Sequence, residues 1–107
     1  MTEIRVLERS KNSLKFEIIG EGHTLSNLLQ NVVLEDENVD MAGYTIPHPL
    51  VGKPIFYIRT KGEKKPEDVL IEASKKVIER TEEFKEKFLK AIEKFEVEGL
   101  RLEEGQG

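Results

Sequence analysis

The chain has 107 residues, of which 37% are hydrophobic, and this length suits one compact domain with no room for a second core. It contains no cysteine, which excludes disulfides, thiolate zinc sites and cysteine nucleophiles. Its 17 Lys and Arg against 21 Asp and Glu leave a net charge of -4, which argues against a domain that holds nucleic acid by itself.

The beginning of the chain, MTEIRVLERS, has no basic segment followed by an apolar run. No stretch approaches the roughly 20 apolar residues that a membrane-spanning helix needs. We therefore expect a cytoplasmic protein without membrane contact.

Two strands are predicted at the start of the chain. In residues 3–9 and 13–19, apolar side chains alternate with charged ones, as Leu14, Phe16 and Ile18 do with Lys15 and Glu17. The intervening SKNS has the composition of a turn. The two segments should form an antiparallel hairpin with one face in water.

A first helix is predicted over residues 24–36, where the pattern changes to helical spacing. Thr24 is the predicted N-cap, because its hydroxyl would accept a hydrogen bond from a backbone amide of the first turn. The apolar face of this helix consists of Leu25, Leu28, Leu29, Val32 and Val33.

Two further strands should follow. VDMAGYTIP predicts a short strand with a bulge or a close contact at Gly43, and PIFYIRTKG over 54–62 predicts a clear one. Pro47 and Pro49 lack amide hydrogens, so the chain between these strands should be extended and lie at an edge or in a loop.

The last predicted element is one long helix from Pro66 to Val97, since the chain between them contains neither Gly nor Pro. Gly99 should end it and leave residues 99–107 as a short acidic tail after a single domain over 1–98. The apolar stripe recurs every seven residues, with a second position four later: Leu70, Val77, Phe84 and Ala91, and Ser74, Thr81, Phe88 and Phe95.

The order β-β-α-β-β-α predicts an α+β fold, a two-layer sandwich of one antiparallel four-stranded sheet with two helices on one face. A helix of about 30 residues is about 45 Å long, whereas seven-residue strands span about 23 Å. The helix should therefore overhang the sheet and expose apolar side chains that a partner covers. These side chains are Phe84, Phe88, Leu89, Ala91, Ile92 and Phe95.

Two motifs, HTLSNLL and AGY followed by PHP, resemble a family of small RNA polymerase assembly subunits. The family includes archaeal subunit L, its eukaryotic counterparts and, more faintly, the N-terminal domain of the bacterial alpha subunit. The resemblance covers nearly the whole chain. The motif residues are His23, Thr24, Asn27, Ala42, Gly43, Tyr44, Pro47, His48 and Pro49.

The resemblance implies a heterodimer, formed through the helices, with the larger assembly subunit of RNA polymerase, which is known as D. This heterodimer would be the platform on which the large catalytic subunits assemble, with no cofactor, no metal and no direct contact with nucleic acid in this chain. The interface residues implied are Leu25, Leu28, Leu29 and Val32 on the first helix and Phe84, Phe88, Ala91, Ile92 and Phe95 on the second.

No catalytic residue is predicted. His23 suits a turn or a small partner contact, His48 an exposed loop, and two lone histidines make a poor metal site. One enzymatic alternative is the similar two-layer fold of pterin carbinolamine dehydratases, although their clustered histidines are missing here. A self-pairing scaffold unrelated to transcription is another alternative.

Overall fold

The structure, a computed structural model, describes residues 3–47, 53–81 and 85–106. Its strands are β1 (Glu3–Arg9), β2 (Ser13–Ile19), β3 (Val39–Thr45) and β4 (Ile55–Thr60). Its helices are α1 (His23–Val33), α2 (Pro66–Arg80) and α3 (Lys85–Gln106). The predicted α+β class and the four strands are confirmed, but the helices number three rather than two within these ranges.

The four strands form one antiparallel sheet in the order β1-β2-β4-β3. The alternation predicted for β2 is confirmed, because Leu14, Phe16 and Ile18 are buried while Lys15 is exposed. Phe16 lies opposite Phe56 of β4, and the two rings stack with centroids 5.3 Å apart. One face of the sheet therefore carries the core.

Both edge strands depart from regular pairing. The register shifts between Val6 and Glu8 in β1 and between Val39 and Met41 in β3. The predicted close contact at Gly43 is confirmed, since a Cβ atom there would lie 3.0 Å from the Tyr57 hydroxyl. The irregularity of β3 thus lies near its start, and Gly43 serves the contact with the tyrosine.

The three helices cover the buried face of the sheet. α1 contacts β3, α2 contacts β2 and β4, and α3 contacts β1, so the helices follow the order α1, α2, α3 across the sheet. Apolar side chains from the sheet and from all three helices form one core cluster. No helix in the described ranges is long and apolar enough to cross a membrane.

The start of α1 differs from the prediction. The helix begins at His23, and its N-cap is Gly22, which provides no side-chain hydrogen bond. Thr24 therefore lies inside the first turn, and its prediction as N-cap was wrong. The helix also ends earlier than predicted, at Val33.

The predicted single long helix is divided into two. α2 ends at Arg80, and its C-cap Thr81 has an extended backbone with φ -138 and ψ 105. α3 begins at Lys85 and packs its apolar stripe against α2 and β1. The predicted exposure of that stripe on an overhanging helix was therefore wrong, and so was the stop at Gly99, since α3 continues to Gln106.

Candidate helix interface

The outer face of α1 carries no charge. Residues 23–34 contain no Asp, Glu, Lys or Arg, although 36% of the whole chain is charged. The side chains of α1 and its C-cap that point away from the core are exposed or partly exposed at helical spacing. We call this surface the neutral face; it consists of Thr24, Asn27, Leu28, Asn31 and Leu34.

The neutral face combines amide groups with apolar contact area. Leu34 is 51% exposed, and Leu28 lies partly buried against the core. Asn27 and Asn31 are exposed and separated by one helical turn, so that both side-chain amides point the same way. Such a surface can accept and donate hydrogen bonds without the desolvation cost of a charge.

A shallow groove of about 360 Å³ runs between α1 and α2. Val32, Val69 and Ala73 contribute to its apolar floor, while charged side chains form its rim. The rim residues are Asp36, Glu72, Lys75, Lys76 and Glu79. Four of these five rim residues lie on α2, in contrast with the uncharged α1.

The N-terminal end of α1 is attached to the sheet by an aromatic contact. His23 Nδ1 and the Tyr44 hydroxyl share a hydrogen bond of 3.1 Å, and the two rings meet edge to face. Tyr44 stacks on Phe56, which stacks on Phe16. The orientation of the neutral face is therefore tied to the core of the sheet through a continuous series of rings.

At the other end of α1, an ion pair links the residues that follow this helix to the end of α2. Arg80 donates two hydrogen bonds, of 2.8 and 3.0 Å, to the two carboxylate oxygens of Glu35. This hydrogen bonding lowers the pKa of Glu35 and raises the pKa of Arg80. The last residue of α2 is thus held close to the C-terminal end of the neutral face.

A second ion pair lies near the start of α2. Lys64 Nζ is 2.6 Å from Glu72, and this hydrogen bond raises the pKa of Lys64. Both partners are at least partly exposed, so the pair adds little stability. It places opposite charges on the α2 side of the molecule, in contrast with α1.

The sequence-predicted interface residues lie mostly in the core of the single chain. On α1, Leu28 alone of the four reaches the surface in part. Phe84 lies outside the described residues. The members that are fully or almost fully buried are Leu25, Leu29, Val32, Phe88, Ala91, Ile92 and Phe95. Their contact with a partner stays a prediction.

Four of the remaining motif residues lie in β3 or just beyond it. Ala42, Gly43 and Tyr44 lie in β3, and Pro47 is exposed beyond it. His48 and Pro49 lie outside the described residues. β3 therefore brings Tyr44 to α1, whereas the motif's second half has no described contact.

Among the residues that the structure describes, no group of three or more His, Asp or Glu side chains is placed to hold a metal ion. The one histidine among them, His23, is exposed and bonded to Tyr44.

Sequence reasoning missed Asn31 and Leu34. It followed apolar spacing, which identifies the side of a helix that faces its own core. The signal that marks the opposite side is the lack of charge over 23–34, and it is visible in the sequence. Depletion of charge on an exposed helix is typical of the central part of protein interfaces.

Comparison with known proteins adds a family to this geometry. Residues 13–87 match the family model described as the RNA polymerase Rpb3/Rpb11 dimerisation domain. The chain is 42% identical over 91 residues to DNA-directed RNA polymerase subunit Rpo11 of Methanococcoides burtonii, covering 85% of this chain and 99% of that relative. It is 44% identical over 92 residues to Rpo11 of Thermococcus kodakarensis, covering 84% and 98%.

A solved structure is similar as well. The crystal structure of DNA-directed RNA polymerase subunit L from Thermoplasma acidophilum matches with a TM-score of 0.67 and 32% sequence identity. The match covers 91% of this chain and 95% of that one. The similarity therefore extends over the sheet and the helix layer together.

Proposed function

The chain belongs to the RNA polymerase Rpb3/Rpb11 dimerisation-domain family and is a subunit of DNA-directed RNA polymerase, and from this we propose that it pairs through its helices with the larger assembly subunit, D. The resulting heterodimer is the cytoplasmic platform on which the large catalytic subunits assemble. This chain contributes shape and contact area, and the chemistry of nucleotide transfer belongs to the large subunits.

The neutral face of α1 is the observation that carries this proposal. A solvated helix in a protein with 36% charged residues is expected to carry charges on its outer side, as α2 does at Glu72, Lys75 and Lys76. α1 has none between His23 and Leu34. An uncharged exposed helix suits burial against a partner, because no ion loses its water.

The interface residues inferred from the family resemblance support that face from beneath. Leu28 reaches the surface between Asn27 and Asn31, while Leu25 and Leu29 fix α1 on the core. A partner helix lying along α1 would contact Leu28 and Leu34 and bond to the two asparagine amides. The buried leucines set the position of this surface.

The negative net charge agrees with a role in assembly rather than in holding nucleic acid. Two of the cations near the end of β4 and the start of α2 are paired with acids: Lys64 bonds to Glu72, and Arg59 to Asp40. This pairing argues against a phosphate-binding surface there. The platform's contact with the template is therefore indirect, through other subunits.

The test is co-expression of this chain with a tagged copy of the larger assembly subunit, followed by light scattering and titration. Wild-type protein should give a one-to-one heterodimer. Leu34→Glu should weaken pairing at least about 30-fold, because burying an unpaired carboxylate costs about 2 kcal/mol or more. Met41→Glu is the matched control: Met41 is 47% exposed, near the 51% of Leu34, but lies on the sheet.

The variants separate the outcomes clearly. If the Leu34→Glu variant pairs normally, the interface does not include the neutral face of α1. Equal loss with Met41→Glu would indicate a general effect of added charge. Absence of pairing by the wild-type chain, with a stable homodimer instead, would favour a self-pairing scaffold.

A further inference from the structure

Helix α3 covers one side of the core that the rest of the chain leaves open. It lies over the edge strand β1 and beside α2. Phe88 is fully buried there, and Ala91, Ile92 and Phe95 are at most 5% exposed. Leu89 on the outer side of α3 is 39% exposed, so the inner stripe alone is covered.

Neither a glycine nor a proline accounts for the end of α2 at Arg80. Residues 67–98 contain no Gly and no Pro. The C-cap residue is Thr81 in an extended conformation, without the glycine in a left-handed conformation that commonly ends a helix. The seven-residue apolar spacing continues from Leu70 and Val77 to Ala91 without interruption. Long-range burial therefore places α3 on β1.

We propose that α3 is a self-cap: in the free chain it occupies the site over β1 and beside α2 that a partner's apolar helix occupies in the heterodimer. This inference rests on the proposed function, because it states which helix lies over β1 and beside α2 once the chain is paired with the larger assembly subunit. The partner chemistry is a helix with aliphatic or aromatic residues at three- and four-residue spacing. A second copy of this chain, with its own α3 released, is the competing occupant.

The way α3 is held indicates which partners can displace it. A polar contact with the strand joins Lys94 Nζ to Glu3 Oε1 over 3.3 Å, between side chains that are 60% and 41% exposed. An exposed ion pair of this kind contributes little. Apolar contact through Phe88, Ile92 and Phe95 holds the helix, so only a partner that buries comparable apolar surface can replace it.

The absence of cysteine from the chain allows a direct test. Glu3→Cys with Lys94→Cys places two thiols at the exposed ion pair, where a short bismaleimide can fix α3 on β1. Asp40→Cys with Arg59→Cys is the matched control: these side chains also form an exposed ion pair, 3.0 Å long, but connect two neighbouring strands.

We expect the Glu3/Lys94 cross-link to weaken binding of the larger assembly subunit at least tenfold relative to the same variant before cross-linking. The Asp40/Arg59 cross-link should leave binding unchanged. Equal binding before and after the Glu3/Lys94 cross-link would overturn the self-cap and leave the proposed pairing intact. Failure of the chain without a cross-link to bind the larger assembly subunit would reject the proposed function, and the self-cap with it.

A second readout follows α3 itself. Spin labels on the Glu3/Lys94 cysteine pair should report a short distance in the free chain and a longer one after the larger assembly subunit is added. An unchanged distance in a formed heterodimer would overturn the self-cap, whatever the cross-linking result. A longer distance in a homodimer, formed by this chain alone, would assign the site to a second copy.

Discussion

Truncation of Phe88 tests whether α3 is part of the folded core of the free chain. Phe88 is 0% exposed and lies in the same cluster as the sheet residues. Replacing a buried phenylalanine by alanine removes contacts and leaves a cavity, which costs about 3–5 kcal/mol. Against a total stability of about 5–15 kcal/mol for a domain, this is a large fraction.

The measurements are urea unfolding and thermal unfolding of the isolated chain, both monitored by circular dichroism. We expect Phe88→Ala to lower the midpoint of one cooperative transition, and to lower the melting temperature by more than about 10 °C, given about 4–8 °C per kcal/mol at this size. Leu89→Ala is the control at the neighbouring position on the same helix. Leu89 is 39% exposed, so its truncation should cost less than about 1 kcal/mol.

The comparison of the two variants has a clear refuting result. If Phe88→Ala costs no more than Leu89→Ala, the inner stripe of α3 is not buried in the free chain. If the loss appears as a separate early transition of helical signal, α3 is an independent unit. The first result would remove the basis of the self-cap, whereas the second would show that α3 leaves β1 before the sheet unfolds.

Three further predictions concern single contacts. Tyr44→Phe removes the hydroxyl that bonds to His23 and should lower the free energy of unfolding by about 0.5–1.5 kcal/mol; no change would show that the bond does not stabilise the exposed helix end. Gly62→Ala should cost about 1 kcal/mol in thermal unfolding, because Gly62 has a φ of 61; an unchanged melting temperature would contradict this. Arg80→Gln should raise the pKa of Glu35 toward its ordinary value of 4.5, as measured by a carboxyl NMR titration. Because the fold lowers this pKa, the ion pair stabilises the protein at pH values above 4.5, and this contribution is lost as the pH falls through the pKa of the folded state.

Local patterning was sufficient for the sheet. Alternation predicts β2, because a strand with one buried face repeats every two residues, and the observed burial follows it. Helical spacing also predicted α1, although its first turn was misassigned. At that end Thr24 has the chemistry of an N-cap, but Gly22 provides the conformation in which the chain enters the helix.

The division of the last helix was beyond local reasoning. The glutamates and the arginine beside Thr81 favour helix by composition, and no glycine or proline marks an end. The position of α3 is decided by its apolar stripe, which packs against β1 and α2. The choice between extending and packing back depends on tertiary contacts that a single sequence does not reveal.

The candidate interface was predictable on one side only. Helical spacing placed Leu25 and Leu29 on one apolar face of α1, which lies against the core, and the family resemblance assigned them to a partner, which stays a prediction. The outward asparagines Asn27 and Asn31 are neither apolar nor charged, so neither a hydrophobic nor an electrostatic pattern selects them. Their significance comes from the contrast with the charged remainder of the chain.

The irregular pairing at both edges of the sheet limits how copies of this chain can aggregate. Register shifts in β1 and β3 interrupt the regular row of amide and carbonyl groups that an added strand requires. β1 also carries charged side chains at Glu3, Arg5, Glu8 and Arg9. Growth of the sheet from molecule to molecule is therefore disfavoured at either edge, and surplus copies made before a partner is available are protected against fibre formation.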